Sequence, residues 1–437
     1  MSGNKATWTR REFVKKAGLA AGTLAVGMTF AEFLAACAGS GGTPTASKLE
    51  IFSWWTAGGE ADGLAEMFKI YKQKYSSVEI INAAVAGGAG SNAKAVLATR
   101  MQGGKPPDSF QVHAGQELIS TWVKASKMEP ITSIWNSEGW DSVIPKDLKT
   151  IVSSGSDVWS VPVNVHRGNA LWVSAKAASA VSATTANSLD NFLSGLGAAK
   201  AAGIQAPLAL GSKGNWQVTM LFENNLVAVG GADFYRGLFT GKSSWTDNNV
   251  KTALNYISRM LNYVNTDHAT IDWDQAAGRL QAGSSVATIM GDWAKGYFTA
   301  ANWKPDTDFT GIPSPGTTGT YMIVCDTFGV PKGAPNHDNA VNWVKICGSQ
   351  AGQAAFNPKK GSIPARTDVS PSLFDSIAQR FISEFKNASL TPSIAHGSAA
   401  PEAFASGLND EMGQFVQKKN VNASAANIAK LADQFLK

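Results

Sequence analysis

The sequence predicts an α/β protein of two domains, and three observations support this prediction. The chain has 437 residues, which exceeds the usual size of one domain. Segments with strand alternation and segments with helical spacing follow one another from Lys48 onward. Hydrophobic residues make up 44% of the chain and charged residues 16%, which is enough apolar material for a sizeable core. Regular alternation of strand and helix favours parallel sheets covered by helices.

The alternation is clearest in the first third of the chain. KLEIF reads as a strand, and EADGLAEMFKIYKQKY after it has helical apolar spacing. The next predicted pairs are VEIINAAV with SNAKAVLATRMQ, and DSFQVH with AGQELISTWVKAS. Farther along, helices are predicted at about 248–264, 272–282 and 335–349, and strands near 286–290 and 321–327. The C-terminal hundred residues are predicted to be mainly helical.

Residues 1–37 are predicted to be an export signal. Arg10-Arg11 within TRREFVKK resembles a twin-arginine signal, and a modest apolar run follows. That run is rich in Ala and Gly and contains Glu32, so a permanent transmembrane helix is not expected. LAAC, ending at Cys37, resembles a lipobox, whose cysteine becomes an acylated N-terminus. Residues 38–47 then form a flexible tether, so we expect a lipoprotein on the extracytoplasmic face of the cell membrane.

Charge and cysteine content narrow the function further. Residues 1–37 carry five basic and two acidic residues, and the rest of the chain carries 33 basic and 31 acidic ones without a basic run. No nucleic-acid partner is therefore expected. Cys325 and Cys347 could form a disulfide in an exported chain, or they could be two buried free thiols. The sequence leaves that choice open.

Polar and aromatic side chains follow the predicted strands at the points where the strands end. Neighbouring residues of a strand point to opposite faces, so Trp54 and Trp55 cannot both enter one core. In open α/β sheets, ligands bind at the carboxyl ends of the strands. The other side chains at such positions are Gln111, His113, Asn164, His166, Asp292, Trp293 and Asp326. The sequence therefore predicts a single ligand site built from these groups.

These side-chain types match the surface of a sugar ring. Carboxylates and amides take paired hydrogen bonds from neighbouring hydroxyl groups. Indole rings pack on the C–H faces of the ring, and the chain contains 14 tryptophans against seven tyrosines. We therefore expect a sugar as the ligand, bound without a cofactor.

Several of these residues also have a purely structural interpretation. Trp273 could simply start a helix, and Trp293 could pack at the corner between a strand and a helix. Asp292 could be a helix N-cap, a common position for aspartate. Lys360 could be an ordinary surface lysine beside Lys359. The case for a site rests on the joint placement of the residues at strand ends.

Two chemical alternatives use the same residues. Glu60, Asp292 and Asp326 could supply the acid and base of a glycoside hydrolase, although no spacing brings two of them together. The chain contains no G-x-S-x-G, H-E-x-x-H or Walker motif. A metal site would need isolated histidines to converge, without ligand pairs at i, i+2 or i, i+4. The histidines it would use are His113, His166 and His396.

The mature chain resembles the extracellular solute-binding proteins of ABC sugar importers, most closely their glucose/mannose-binding branch. The matching stretches are KLEIFSWWTAGGE, INAAVAGGAGSNAKAVLATRMQGGKPPDSFQVHAG, WSVPVNVHRGNALW, LSGLGAAKAAGIQAPLALG, MGDWAKGY, CDTFGVPKGAPN, FNPKKGSIPAR and AHGSAAPEAF. They span residues 48 to 405 in the expected order. The resemblance implies a two-lobed periplasmic-binding-protein fold of type II, with hinge-connected lobes and the sugar in the cleft between them.

The resemblance also implies domain bounds and contact residues. The N-terminal lobe is expected at 48–159 and 313–358, and the C-terminal lobe at 160–312 and 359–437. The implied sugar contacts are Trp54, Trp55, Glu60, Gln111, His113, His166, Trp273, Asp292, Trp293, Asp326, Lys360 and His396. Lys360 and His396 come from the resemblance alone, and Glu60 lies in a turn of variable length.

The expected function is capture of a monosaccharide, with glucose or mannose favoured, by closure of the cleft. The chain would be a monomer that delivers the sugar to the permease subunits of an ABC importer and itself catalyses no reaction. Binding of a disaccharide remains an alternative, which the bulk of the loop around 211–217 would decide.

Overall fold

A computed structural model describes residues 47–87, 90–175 and 186–436 of the chain. The predicted export signal, Cys37 and all but the last residue of the predicted tether lie outside the described residues. Those assignments therefore stay predictions.

The elements of the described ranges are numbered in chain order. The strands are β1 (Lys48–Phe52), β2 (Glu79–Asn82), β3 (Ser109–His113), β4 (Met128–Glu129), β5 (Ser153–Ser154), β6 (Asp157–Val158), β7 (Val161–Pro162), β8 (His166–Arg167), β9 (Ala170–Ser174), β10 (Ala287–Ile289), β11 (Phe309–Pro313), β12 (Thr320–Val324), β13 (Asp326–Pro331) and β14 (Ser389–Pro392). The α-helices are α1 (Gly58–Lys74), α2 (Ser91–Gln102), α3 (Thr132–Ser137), α4 (Lys146–Ile151), α5 (Leu189–Ala201), α6 (Trp216–Thr240), α7 (Asn248–Met260), α8 (Trp273–Gln281), α9 (Trp293–Ala300), α10 (His337–Gly348), α11 (Gln350–Lys360), α12 (Ser376–Asn387), α13 (Glu402–Lys418) and α14 (Val421–Phe435). A π-helix covers Glu117–Val123, and short 3-10 turns cover Trp140–Ser142 and Pro371–Leu373.

The strands form two lobes with mixed sheets. In the first lobe the strand order is β2-β1-β3-β13-β4, with β7 also paired to β13. The pairs β1–β2 and β1–β3 are parallel as predicted, whereas β13 runs antiparallel to β3, β4 and β7. The second lobe holds the antiparallel sheet β10-β9-β11 and the sheet β14-β12-β8. The sheets are therefore less uniformly parallel than the sequence alternation suggested, and the fold is the two-lobed α/β type.

Local sequence explains why the first helices form where they do. Helix α1 buries Leu64, Met67 and Tyr71, which recur at three- and four-residue intervals and so lie on one face. Helix α2 buries Ala93 and Leu97 in the same way, and its observed bounds equal the predicted ones. Helix α1 packs mainly on α11, and also on α9 and α10.

Helix α6 is absent from the sequence prediction for a physical reason. Every residue from 216 to 227 is buried, so the first half of the helix has no polar face that would reveal a helical period. The helix is broken at Gly231, which has a φ of 79°. The predicted strand 321–327 is likewise split, because Cys325 separates β12 from β13. Cys325 and Cys347 are both buried free cysteines.

The chain passes between the lobes at the strand ends. β7 pairs in the first sheet, and β8, four residues later, pairs with β12 in the second lobe. The chain returns to the first lobe at Cys325, between β12 and β13. The predicted lobe bounds stay a prediction. Because β12 lies within the predicted first-lobe segment 313–358 but pairs with second-lobe strands, we propose moving that bound from 313 to 325.

Candidate functional site

A cavity of about 470 Å³ lies between the two lobes. Its walls combine strand ends of the first lobe with α8, α9 and connecting segments of the second. The lining residues are Trp54, Thr56, Ala57, Gly58, Gly59, Glu60, Ala86, Gly87, His113, His166, Trp216, Asp272, Trp273, Asp274, Trp293, Tyr297, Ala300, Ala301, Val324, Asp326, Lys360 and His396. Its size falls within the range of small-molecule binding sites.

The structure brings most of the sequence-predicted site residues to this cavity. Nine of the twelve line it, namely Trp54, Glu60, His113, His166, Trp273, Trp293, Asp326, Lys360 and His396. The remaining three, Trp55, Gln111 and Asp292, lie behind its wall. What the nine residues bind stays a prediction.

The two neighbouring tryptophans separate as the strand geometry requires. Trp54 lines the cavity and packs over the ring of His113, with 4.9 Å between the ring centroids. Trp55 points to the opposite side, where it is fully buried between Phe328 and Phe356. Trp55 therefore lies in the core and does not line the cavity, and its expected sugar contact stays a prediction.

Gln111 and Asp292 also do not line the cavity, and each orients a residue that does. The amide oxygen of Gln111 accepts a hydrogen bond from the Trp54 backbone N–H (3.1 Å), and its amide nitrogen donates to Asp326 (2.7 Å). Asp292 forms a hydrogen bond with Nδ1 of His166. It does occupy the N-cap position of α9, but its side chain makes no capping bond there.

Asp326 is the central carboxylate of the site. Its Oδ1 accepts from Gln111, and its Oδ2 accepts from the amide of Asn164 at 2.8 Å. Burial raises the pKa of Asp326, but the hydrogen bond from His166 and the charge of Lys360 outweigh burial and lower that pKa. The side chain is thus an ionised acceptor, held in place from behind and facing the cavity.

His113 is the end of a buried chain of charges. Its Nδ1 lies 2.8 Å from Glu117, and the ammonium group of Lys94 lies 2.8 Å from the same carboxylate oxygen. Burial raises the pKa of Glu117, but Lys94 and His113 outweigh it and lower that pKa to about 2. Lys94 also lies 3.1 Å from Glu402, which belongs to helix α13. These contacts hold the His113 ring against the cavity wall.

His166 stands between two carboxylates. Its Nδ1 is bonded to Asp292, and its Nε2 lies 3.3 Å from Asp326. Burial and the charge of Lys360 lower the pKa of His166. The two carboxylates outweigh these effects, so that the pKa is raised above its ordinary value. A raised pKa favours a cationic imidazole that stabilises the charge of Asp326.

His396 has the opposite environment. Its ring lies 4.9 Å from the ring of Trp293 and 5.4 Å from that of Trp216. Burial, together with the neighbouring positive groups His113 and Lys94, places the pKa of His396 well below its ordinary value. The imidazole is therefore neutral, with one nitrogen available as an acceptor.

Lys360 is not the surface lysine that the structural alternative allowed. It is almost fully buried at the end of α11, and its ammonium group lies 2.7 Å from Glu60. The same ammonium lies 5.6 Å from the ring centroid of Trp55 and 6.0 Å from that of Trp293. The pair thus presents a cation and a carboxylate side by side at the cavity.

Sequence reasoning missed Trp216, Tyr297, Asp272 and Asp274 as lining residues. Trp216 begins α6 immediately after Asn215, whose φ is 61°. The Gly-Asn pair before a tryptophan in the stretch 211–217 was the available signal for a turn that presents an aromatic ring. Trp273 does begin a helix, as its structural alternative held, and it also lines the cavity, 6.0 Å from the ring of Tyr297.

The site combines aromatic plates with fixed polar groups, which suits recognition of a polyhydroxylated ring. It does not suit glycoside hydrolysis. A general acid needs a raised pKa, whereas the pKa of Asp326 is lowered, and Asp292 is directed at His166. Within the described residues, no group of three or more histidine, cysteine or acidic side chains could hold a metal ion.

A search of the described ranges also finds no helix with the length and apolarity needed to cross a membrane.

Comparison with known proteins identifies similar chains across nearly the whole sequence. The sequence profile of the family described as bacterial extracellular solute-binding protein matches residues 46–354. An uncharacterized ABC transporter extracellular-binding protein of Pyrococcus horikoshii is 39% identical over 404 residues, covering 90% of each chain. A probable sugar-binding periplasmic protein of Mesorhizobium japonicum is 33% identical over 399 residues, covering 88% of this chain and 93% of the other.

A solved structure supports the fold. The bacterial solute receptor described as having an exclusive preference for β-D-galactopyranose superposes with a TM-score of 0.78. The superposition covers 89% of this chain and 98% of that chain at 16% sequence identity, which bears on the fold alone.

Proposed function

The chain belongs to the family of bacterial extracellular solute-binding proteins, and from this premise we propose that it is the sugar-capturing receptor of an ABC importer. Such a chain is a receptor and not an enzyme, in agreement with the site chemistry. Asp326 carries the proposal: it is an ionised carboxylate that lines the cavity, and Gln111 and Asn164 hold both of its oxygens. Trp54 and Trp293 supply aromatic faces in the same cavity.

We propose that the nine cavity-lining residues predicted from sequence are the sugar contacts, and that glucose or mannose is the ligand. The inner part of the cavity favours a single sugar ring as the ligand, because His113, His166 and His396 are all nearly fully buried there. Neighbouring hydroxyls of a single ring would bridge the carboxylate and the imidazoles.

A disaccharide is the second candidate ligand, and one observation favours it. Trp273 and Tyr297 lie at the partly exposed end of the cavity with Asp272 and Asp274 beside them. These groups repeat, on a smaller scale, the pairing of aromatic faces with carboxylates found farther in. A second sugar ring would pack there.

We further propose that sugar binding closes the lobes and that the closed form docks on the permease. Lobe closure brings groups from both lobes onto one ligand, so a bridging sugar shifts the population to the closed form. Export through the twin-arginine-like signal, anchoring through a lipid on Cys37 and a monomeric state belong to this proposal, because the sequence predicts the first two and the site needs no second copy.

A thermal-shift panel tests the ligand class. A ligand that binds only the folded state raises the melting temperature by mass action. We expect glucose or mannose to raise it, and disaccharides to do so only if the outer end of the cavity is used. A panel of amino acids is the control. A shift with amino acids and none with sugars would contradict the proposed function.

A further inference from the structure

Glu223 is a fully buried carboxylate that does not line the cavity. It lies on α6, and its Oε1 accepts a hydrogen bond from the Ser393 hydroxyl at 2.7 Å. Its Oε2 accepts from the backbone N–H groups of Ile394 (2.5 Å) and Ala395 (3.2 Å). The Tyr235 hydroxyl lies 3.4 Å from Oε2 and 2.8 Å from the Pro392 carbonyl oxygen, to which its single proton is directed. One side chain of α6 thus holds the segment that leads to His396.

Ser393 connects this carboxylate to the His396 ring. Its hydroxyl oxygen lies 3.0 Å from Nδ1 of His396 and accepts a hydrogen bond from the His396 backbone N–H at 3.2 Å. The contact with Nδ1 is the only hydrogen bond that the His396 ring makes within the described residues, so Nε2 is the ring nitrogen left for the cavity that His396 lines.

The donor and acceptor capacity of the Ser393 hydroxyl determines which ring nitrogen of His396 is protonated. A serine hydroxyl has one proton to donate and can accept at its oxygen. With Glu223 ionised, the Ser393 proton is directed at the carboxylate, so its oxygen has only acceptor capacity left for the ring. The neutral imidazole must then donate from Nδ1, and Nε2 carries no proton.

We propose that Glu223, acting through Ser393, holds His396 in the tautomer with its proton on Nδ1, so that Nε2 accepts a hydrogen bond from a sugar hydroxyl. The inference rests on the proposed function and adds a positioning residue to it. His396 thereby favours a ligand that presents a hydroxyl donor to its Nε2 atom.

Protonation of Glu223 would reverse the relay. A proton on Oε1 donates to Ser393, whose own proton then turns to Nδ1, and the ring proton moves to Nε2. Burial raises the pKa of Glu223 to about 7, so both states are accessible near neutral pH. The titratable group that faces Glu223 from its own helix is Tyr235. The groups that face His396 are His113, Lys94, His166 and Asp326.

Nuclear magnetic resonance of the imidazole nitrogens tests the tautomer without any sugar present. At a pH of about 8.5, where Glu223 is ionised, wild-type His396 should carry its proton on Nδ1. Glu223→Gln should move the proton to Nε2, because the amide nitrogen donates to Ser393 where the carboxylate accepted. Glu411→Gln, which changes another nearly buried carboxylate of the same lobe, should leave the tautomer unchanged. Wild-type protein with the proton on Nε2 would overturn the proposal.

Ser393→Ala is the second variant, in case Glu223→Gln does not fold. It removes the acceptor for Nδ1, so the ring should lose its preference for the Nδ1 proton. An unchanged tautomer in either folded variant would overturn the relay.

Titration with glucose and mannose tests the ligand part. Glu223→Gln should weaken binding about tenfold, the effect of one lost hydrogen bond, and Glu411→Gln should not. Equal affinity of Glu223→Gln and wild type would overturn the role of Nε2. Wild-type protein that shows the expected tautomer but binds neither sugar would contradict the proposed function. The observed tautomer would still support the hydrogen-bond relay from Glu223 through Ser393 to His396.

Discussion

Trp54 and Trp55 are neighbours in sequence, but their side chains have different surroundings. The pair follows β1, so one indole reaches the cavity and the other enters the core. The Trp55 ring is fully buried and packs against Phe328 and Phe356. The sequence could predict that the two rings separate. It could not predict which ring reaches the cavity, because the twist at the end of the strand depends on the neighbouring strands.

Replacing each tryptophan separates the two roles. Trp54→Ala should weaken sugar binding about tenfold, since it removes one aromatic face, and should leave most of the stability intact. Trp55→Ala should lower the free energy of unfolding by about 3 to 5 kcal/mol, because it empties a core position. Calorimetric titration and urea unfolding measure the two effects. A large stability loss for Trp54→Ala without a loss of affinity would contradict this assignment.

Asp326→Asn tests the central carboxylate. The change should weaken sugar binding roughly 10- to 100-fold, because it removes a charged acceptor and turns an amide N–H₂ towards the donors Gln111 and Asn164. Asp108→Asn is a matched control, since Asp108 is an equally buried carboxylate of the same lobe outside the cavity. Affinity is read by titration, with circular dichroism to confirm folding. Equal losses in both variants would point to a general effect on the lobe.

Helix α9 meets the first lobe through a glycine. A Cβ atom added at Gly296 would lie 2.5 Å from the backbone oxygen of Lys360 and 3.1 Å from that of Lys359. Helix α9 belongs to the second lobe, and α11 packs on α1 of the first. The missing side chain therefore lets α9 approach the end of α11 at the rim of the cavity, where α9 also packs on α1 of the first lobe.

Gly296→Ala should hinder closure while favouring the helix itself. Alanine has a higher helix propensity than glycine, but its methyl group would lie 2.5 Å from the backbone oxygen of Lys360 in the arrangement that the structure shows. We expect sugar affinity to fall about tenfold and the sugar-induced compaction in small-angle scattering to shrink. Gly197→Ala in α5 is the control, because a Cβ there makes an ordinary 3.5 Å contact. Full compaction in Gly296→Ala would refute the closure role.

At the scale of the whole molecule, the sequence predicted the two-lobed α/β fold, and nine of its twelve predicted site residues line the cavity. Site residues at strand ends can be predicted from sequence, because the residue type and its position after a strand are both local features of the chain. The placement of Gln111 and Asp292 behind the wall was not readable, since it depends on contacts with Asp326 and His166 far along the chain. The antiparallel return of β13 is a long-range feature of the same kind.

The stability of the fold at acidic pH should reveal the ion pair between Lys94 and the buried Glu117 carboxylate. The pKa of Glu117 falls from 4.5 to about 2 on folding. A depressed pKa stabilises the fold above pH 4.5, and that contribution is lost as the pH falls towards about 2. Urea unfolding across this window should show Glu117→Gln losing less stability on acidification than wild type, with Glu411→Gln behaving as wild type. Parallel curves for Glu117→Gln and wild type would contradict the assignment.

Calorimetric titration of glucose and mannose into the wild-type protein and Trp54→Ala tests whether the cavity between the lobes captures a sugar without transforming it. We predict one-to-one binding to wild-type protein, a loss of about tenfold in Trp54→Ala, and recovery of the sugar unchanged. Absence of binding to any sugar, binding that Trp54→Ala leaves untouched, or slow conversion of the sugar would contradict the account.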